Sequence, residues 1–380
     1  MAVDAEGDIL APHLLDRDQM NTASEVLFKM RVHRAVLRGT GFYEAFRTTQ
    51  DLRIGCLPVI SYTRHDDPYL IQCILEEANY FDRNRFRAYL SQRALNIGII
   101  IGEPGSGKTT LGVAAALAME AKLGKILCSN PSHTSIDLFA SHLDTRGRAV
   151  AARYNTILPA GHPDRRRHHL VIRMYAQNDE MMAVAQILNN PQAVDWAQNM
   201  DEFFRETHWK MHLSLAYWTL AILRSNAVPA LDADCKLNLR TIQSSLDNDA
   251  SVLPLRQVAR GHISRAQYTA TPDAIPILQR TMCRILRQAD FLCVHPTEAE
   301  ISPLPLWKSL FAKVNRADFY GLWGNSLLPV FLIGDPGEKP VVLTIDEADE
   351  NGNLLNRFVA DGAISPLKFL VAAGIPVFRL

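Results

Sequence analysis

Cysteine is scarce in this sequence and never spaced as C-x-x-C: six residues lie scattered at Cys56, Cys73, Cys128, Cys235, Cys283 and Cys293. That pattern suggests neither a zinc site nor the disulfide framework of a small secreted domain. Neither charge is in surplus. Lys plus Arg is 40 and Asp plus Glu is 40, for a formal net charge of zero. This argues against a protein that coats nucleic acid through bulk positive charge, although a local basic groove remains compatible with it. No apolar run approaches the ~20 residues of a membrane helix. The opening MAVDAEGDIL carries acids where a secretory signal would carry basic residues. Internal repeats and low-complexity tracts are missing too. The composition, 48% hydrophobic and 21% charged, is that of a globular protein with enough chain for two or three domains at ~150 residues each. The expectation is a reduced, intracellular protein, cytoplasmic or nuclear, with no membrane partner.

One motif dominates. Gly102-Glu103-Pro104-Gly105-Ser106-Gly107-Lys108-Thr109 satisfies G-x-x-x-x-G-K-[ST]. An apolar stretch of strand length, 96–101, precedes it, and a run rich in helix formers, 110–120, follows it. Strand, glycine loop and helix together predict a phosphate cradle. Glycines let the backbone turn so that its N–H groups point at phosphate oxygens, and the helix N-terminus adds favourable potential. Residues 102–110, Thr110 included, are the expected nucleotide-binding segment. Lys108 is expected on the β- and γ-phosphates of ATP, and the Thr109 hydroxyl on Mg²⁺. Gly124 ends the helix, 125–129 reads as the next strand, and 138–143 as the next helix. Strand–loop–helix twice in succession predicts a parallel sheet with binding loops at its carboxyl edge.

These residues resemble the first RecA-like domain of superfamily 1 helicases, in the branch of the nonsense-mediated-decay helicase. Ser129-Asn-Pro-Ser-His-Thr-Ser-Ile-Asp137 is similar to a family loop that touches the nucleic-acid backbone; read alone, it is an ordinary capped helix start, and its place one strand after the P-loop brings the two readings level. Near the C-terminus, Leu328-Pro-Val-Phe-Leu-Ile-Gly334-Asp335-Pro-Gly-Glu338-Lys-Pro340 resembles motif III, with Glu338 where the family has a phosphate-sensing Gln. The resemblance implies an α/β fold with a RecA-like P-loop core, ATP and Mg²⁺ as cofactors, and single-stranded RNA or DNA as a partner. It also implies one motor half, the chain stopping before the motif that opens the second.

A P-loop ATPase also needs a strand ending in Asp-Glu, to order Mg²⁺ and polarise water. Val341-Val-Leu-Thr-Ile-Asp346-Glu347-Ala-Asp349 offers that pattern. In the family, however, it precedes motif III, which makes 346–353 a polar loop on the helicase reading and a Walker B on the alternative. Upstream, Leu310-Phe-Ala-Lys313 runs almost directly into Arg316-Ala-Asp-Phe, as though a short piece carrying the acids were absent; Thr297-Glu298-Ala299 is a further candidate. The expected function is therefore ATP binding with weak or absent hydrolysis by this chain alone. The alternatives are a nucleotide-dependent binding module without catalysis, and an unrelated P-loop ATPase using Asp346 and Glu347.

The expected organisation is a mainly helical segment over 1–92, a core from 93–150 and 289–380, and a largely helical insertion over 151–288. Within the insertion, 170–175 reads as a strand and 201–225 as one long helix. Arg165-Arg-Arg-His-His169 is the densest basic cluster and reads as an exposed loop or a phosphate contact. The basic stretch 82–90 reads as a helix on the sheet edge with its arginines in solvent.

Overall fold

The computed structural model describes residues 59–94, 97–159, 162–189, 211–296, 308–312, 329–335, 337, 348–353, 364–372 and 374–380. Asp346, Glu347 and Glu338 lie outside them, as do 1–58 and 190–210.

The described chain is α/β. It runs β1 (Val59–Ile60), α1 (Pro68–Leu75), α2 (Arg83–Ser91), β2 (Arg93–Ala94) and β3 (Ile97–Ile101). Next come α3 (Lys108–Leu123), β4 (Ile126–Ser129), α4 (His133–Asn155), β5 (Val171–Arg173) and α5 (Gln177–Asn189). The helices α6 (Leu215–Ile222), α7 (Leu237–Asp247), α8 (Leu253–Ala259), α9 (Arg265–Thr269) and α10 (Ala274–Leu286) precede β6 (Phe291–Val294). The last elements are β7 (Lys308–Ala312), β8 (Val330–Gly334), α11 (Pro366–Ala372) and β9 (Val377–Arg379). A seven-stranded sheet has the order β5-β6-β4-β7-β8-β3-β9, and every pairing in it is parallel. β1 and β2 form a separate antiparallel ladder.

Why the sheet sits inside the molecule follows from its strands. A parallel sheet covered on both faces needs continuous apolar runs, and β3, β6 and β8 are buried at every position. Alternate residues serve two cores. Phe291 and Cys293 of β6 join α1–α4, whereas Leu292 and Val294 join α5–α10. α3 is buried without interruption from Leu111 to Met119, so it reads as apolar all round and not as an amphipathic surface helix. Two glycines let α3 and β3 press against β8. A Cβ on Gly112 would stand 2.3 Å from Ile333 Cδ1, and one on Gly98 would stand 2.2 Å from the Phe331 ring.

One sequence expectation changes here. The 201–225 stretch is not one helix in its described part: Met211–Leu213 is a 3₁₀ turn, the Ser214 hydroxyl caps a new helix, and α6 ends before Arg224 at φ 59°. Ser214 is a better N-cap than a helix interior residue, because its oxygen takes the Tyr217 N–H. The basic stretch, by contrast, behaves as expected. α2 buries Phe86, Tyr89 and Leu90 and leaves Arg85 and Arg87 exposed. Its Tyr89 hydroxyl donates to the Ile99 and Pro376 carbonyls, tying it to β3 and the approach to β9. Among the described residues no helix is long and apolar enough to cross a membrane.

Candidate nucleotide site at the carboxyl edge of the sheet

β3 delivers the glycine loop to the carboxyl edge between β8 and β9. Gly105 and Gly107 take φ 80° and 95°, left-handed values that a side chain would strain. Gly102 is needed for space: a Cβ there would stand 2.4 Å from Ser106 Oγ and 3.0 Å from Leu380 Cβ. Gly107 is the N-cap residue of α3 and offers no side-chain cap. The first-turn amides of Lys108, Thr109 and Thr110 thus have no acceptor within the helix. Lys108 folds over the loop, its Nζ donating to the Gly102 carbonyl at 2.7 Å and the Glu103 carbonyl at 2.6 Å. Glu103, Pro104, Gly105 and Gly107 are exposed, while Ser106, Lys108, Thr109 and Thr110 are half-buried.

The neighbours of β3 decide where a carboxylate stands. β8 pairs with it in the register Ile101↔Gly334, which sets Asp335 one residue beyond β8, beside Gly102. Asp335 Oδ1 accepts from the Gly337 amide at 2.7 Å in a tight turn. β9 takes the other flank, Ile101↔Arg379. The described neighbours of β3 are thus β8 and β9; the 341–345 stretch, which the Walker B alternative with Asp346 and Glu347 needs beside β3, lies outside the described residues. Just after those two residues, Asp349 Oδ1 accepts from the Asn351 and Asn353 amides at 2.9 and 2.8 Å in an exposed turn. β7 lies between β4 and β8. It ends at Ala312, and the chain continues Lys313-Val-Asn315 without a carboxylate. The segment expected to be missing its strand is itself an inner strand; what is missing is the acid at its end. Thr297, Glu298 and Ala299 lie outside the described residues.

Farther along the same edge, the loop after β4 belongs to the fold. Ser132 caps α4 by accepting the Ser135 amide at 3.3 Å, which is the ordinary capped start. Asp137 is buried and pairs with the fully buried Arg173 of β5 at 2.5 Å. Arg173 also donates to the Met174 carbonyl, approaches His133 Nδ1 at 3.1 Å, and stands 4.3 Å over the Tyr175 ring. His133 stacks on His295 at 4.6 Å. Burial, Arg173 and His295 lower the His133 pKa to about 4. Nearby, Glu180 accepts the Tyr175, Leu215 and Ala216 amides at 3.1, 3.3 and 2.8 Å, and burial raises its pKa to about 7. Sequence reading missed Arg173 and Glu180, since nothing local marks an arginine in a strand as buried.

Among the described residues no cluster of His, Cys, Asp and Glu is arranged to hold a metal ion. The chain matches no protein-family model and no curated protein.

Proposed function

We propose that the chain is an ATP-binding P-loop protein with a RecA-like core, akin to the first motor domain of superfamily 1 RNA and DNA helicases. The observation that carries this reading is the run β3, glycine loop, α3, with two left-handed glycines and Lys108 held over the loop. A phosphate chain suits that loop for three reasons. Its first-turn amides lack helical acceptors, the helix N-terminus favours an anion, and Lys108 can exchange two loop carbonyls for phosphate oxygens. Mg²⁺, when bound, neutralises phosphate charge, and the Thr109 hydroxyl is the residue positioned by sequence to hold it.

Hydrolysis is weak or absent in this reading. Water activation needs a carboxylate near the γ-phosphate. β7 ends without one, and Asp335, one residue beyond β8, is engaged by the Gly337 amide. The resemblance to a helicase motor also makes single-stranded RNA or DNA the expected partner. The test is ATP turnover by the purified chain with Mg²⁺, alone and with single-stranded RNA or DNA, together with a strand-displacement assay. The reading expects turnover near background and no unwinding. Brisk, nucleic-acid-stimulated turnover with unwinding would overturn the weak-hydrolysis part.

A second reading, a nucleotide-dependent binding module that works without turnover, is favoured by the acid-free end of β7. A third, an unrelated P-loop ATPase using Asp346 and Glu347, is the one for which Asp346→Ala or Glu347→Ala should abolish normal turnover.

A further inference from the structure

The Arg165–His169 stretch is no free surface loop. It lines a cavity of about 540 Å³, inside the ~300–1,000 Å³ range of small-molecule sites. The cavity opens at the amino edge of the sheet, away from the glycine loop. His169 stands before β5, Asp290 immediately precedes β6, and Glu120 lies near the end of α3. At a rise of 1.5 Å per residue, Glu120 is about 18 Å along α3 from Lys108.

The walls differ in chemistry. One is apolar: Leu70 and Ile74 of α1, Leu117 of α3 and Val150 of α4. Beside it the Tyr154 ring lies under the Arg166 guanidinium at 5.5 Å. The far wall holds two ion pairs, His169 Nε2 with Glu120 at 3.1 Å and Lys236 with Asp290. The remaining wall is Arg165, Arg166 and Arg167, with Asp164 and His168 on either side, and here donors outnumber acceptors. Each guanidinium has five N–H donors; among the described residues Arg165 gives one to the Leu158 carbonyl, Arg166 engages Asp67 and the Tyr154 hydroxyl, and Arg167 gives one to the Ala233 carbonyl. Arg165 and Arg167 share a single carboxylate, Asp234, at 3.6 and 3.7 Å. The loop is already fixed in place, because Asn155 takes the Arg166 amide at 2.8 Å and donates to its carbonyl at 3.0 Å.

We infer that this cavity binds a small organic oxyanion, a phosphate or carboxylate head on an apolar or aromatic body. The spare arginine forks match the planar or tetrahedral oxygens of such a head. The Tyr154 ring and the aliphatic wall take the body, and preorganisation of the loop lowers the ordering cost.

The test uses the full chain carrying Lys108→Met, which weakens phosphate binding at the glycine loop. Phenyl phosphate, benzoate, inorganic phosphate and phenol are titrated by calorimetry, and phenylglyoxal labelling of Arg165–Arg167 is followed by mass spectrometry. Phenyl phosphate or benzoate should bind saturably with Kd below ~1 mM, at least ~10-fold tighter than inorganic phosphate or phenol, and the preferred head identifies the oxyanion. The same probe should slow arginine labelling, and Arg166→Gln should weaken binding ~10-fold. Labelling needs no variant, so a poorly folding Arg166→Gln chain does not weaken the test. No saturable binding of either organic probe up to ~10 mM, or binding that leaves arginine labelling unchanged, would overturn the proposal. So would inorganic phosphate binding as tightly as the organic probes, because the apolar wall would then have no role.

Discussion

At one carboxyl edge, the sheet carries two polar assemblies made in opposite ways. After β3 the site is mostly backbone: glycines at φ 80° and 95°, first-turn amides, and one lysine folded onto the loop's own carbonyls. After β4 and β5 it is side chain: Arg173, Asp137 and Tyr175, buried, and the half-buried His133, bonded to one another. The first assembly holds donors that the protein does not use. In the second, a buried charge meets its partners inside the fold. The lysine of the first assembly stays half-exposed, whereas the arginine of the second is removed from water.

Removing the buried charge should have the largest effect. Arg173→Met leaves Asp137 buried without its guanidinium and should cost about 3–5 kcal/mol in urea unfolding. Arg173→Met with Asp137→Leu should recover part of that loss. The opposite change, Lys108→Met, should alter stability by less than about 1 kcal/mol and weaken ATP binding at least ~100-fold, read by fluorescent-nucleotide titration. If Lys108→Met unfolded the chain while Arg173→Met did not, the comparison would be reversed.

The side-chain assembly also titrates, with two opposing slopes. Glu180 has its pKa raised from 4.5 to about 7. The stability linked to its neutral form is fully present below about pH 4.5 and is lost as pH rises through 7. His133 has its pKa lowered from 6.5 to about 4. The stability linked to its neutral form is present above pH 6.5 and is lost as pH falls through 4. Between pH 4.5 and 6.5 the two largely cancel. Urea midpoints of Glu180→Gln should therefore rise with pH across that window, and those of His133→Asn should fall. Parallel profiles for the two variants would show that the groups do not titrate in this way. The backbone test has the smaller expected effect on binding. Gly107→Ala puts a Cβ at φ 95° and should cost about 1–2 kcal/mol, with a further ~10-fold loss of ATP affinity, measured by the same titration.

Much of the first assembly was legible in the sequence and little of the second. The glycine spacing and the flanking apolar and helix-forming runs specify strand, loop and helix through local chemistry alone. The inner strands 97–101, 126–129 and 330–334 were readable for the same reason, being short apolar runs. Arg173 was not readable, because its partner Asp137 lies on another element and the pairing exists only once β5 joins the sheet. Arg165–His169 read as an exposed basic loop because charge density resembles solubility until α1, α3 and α4 close around it. The break at Ser214 was hidden by continuous apolar residues on either side, which suit two short buried helical pieces as well as one long helix. Strand order was beyond the sequence, and it is strand order that sets Asp335 beside the loop and β7 next to β8.

The central claim is that the glycine loop is a nucleotide site. Its most direct test is equilibrium binding of ATP to the purified chain, with and without Mg²⁺, beside Lys108→Met. Saturable binding that strengthens with Mg²⁺ and falls at least ~100-fold in the variant is the predicted result. Absence of binding, or equal binding by the two chains, would contradict the account.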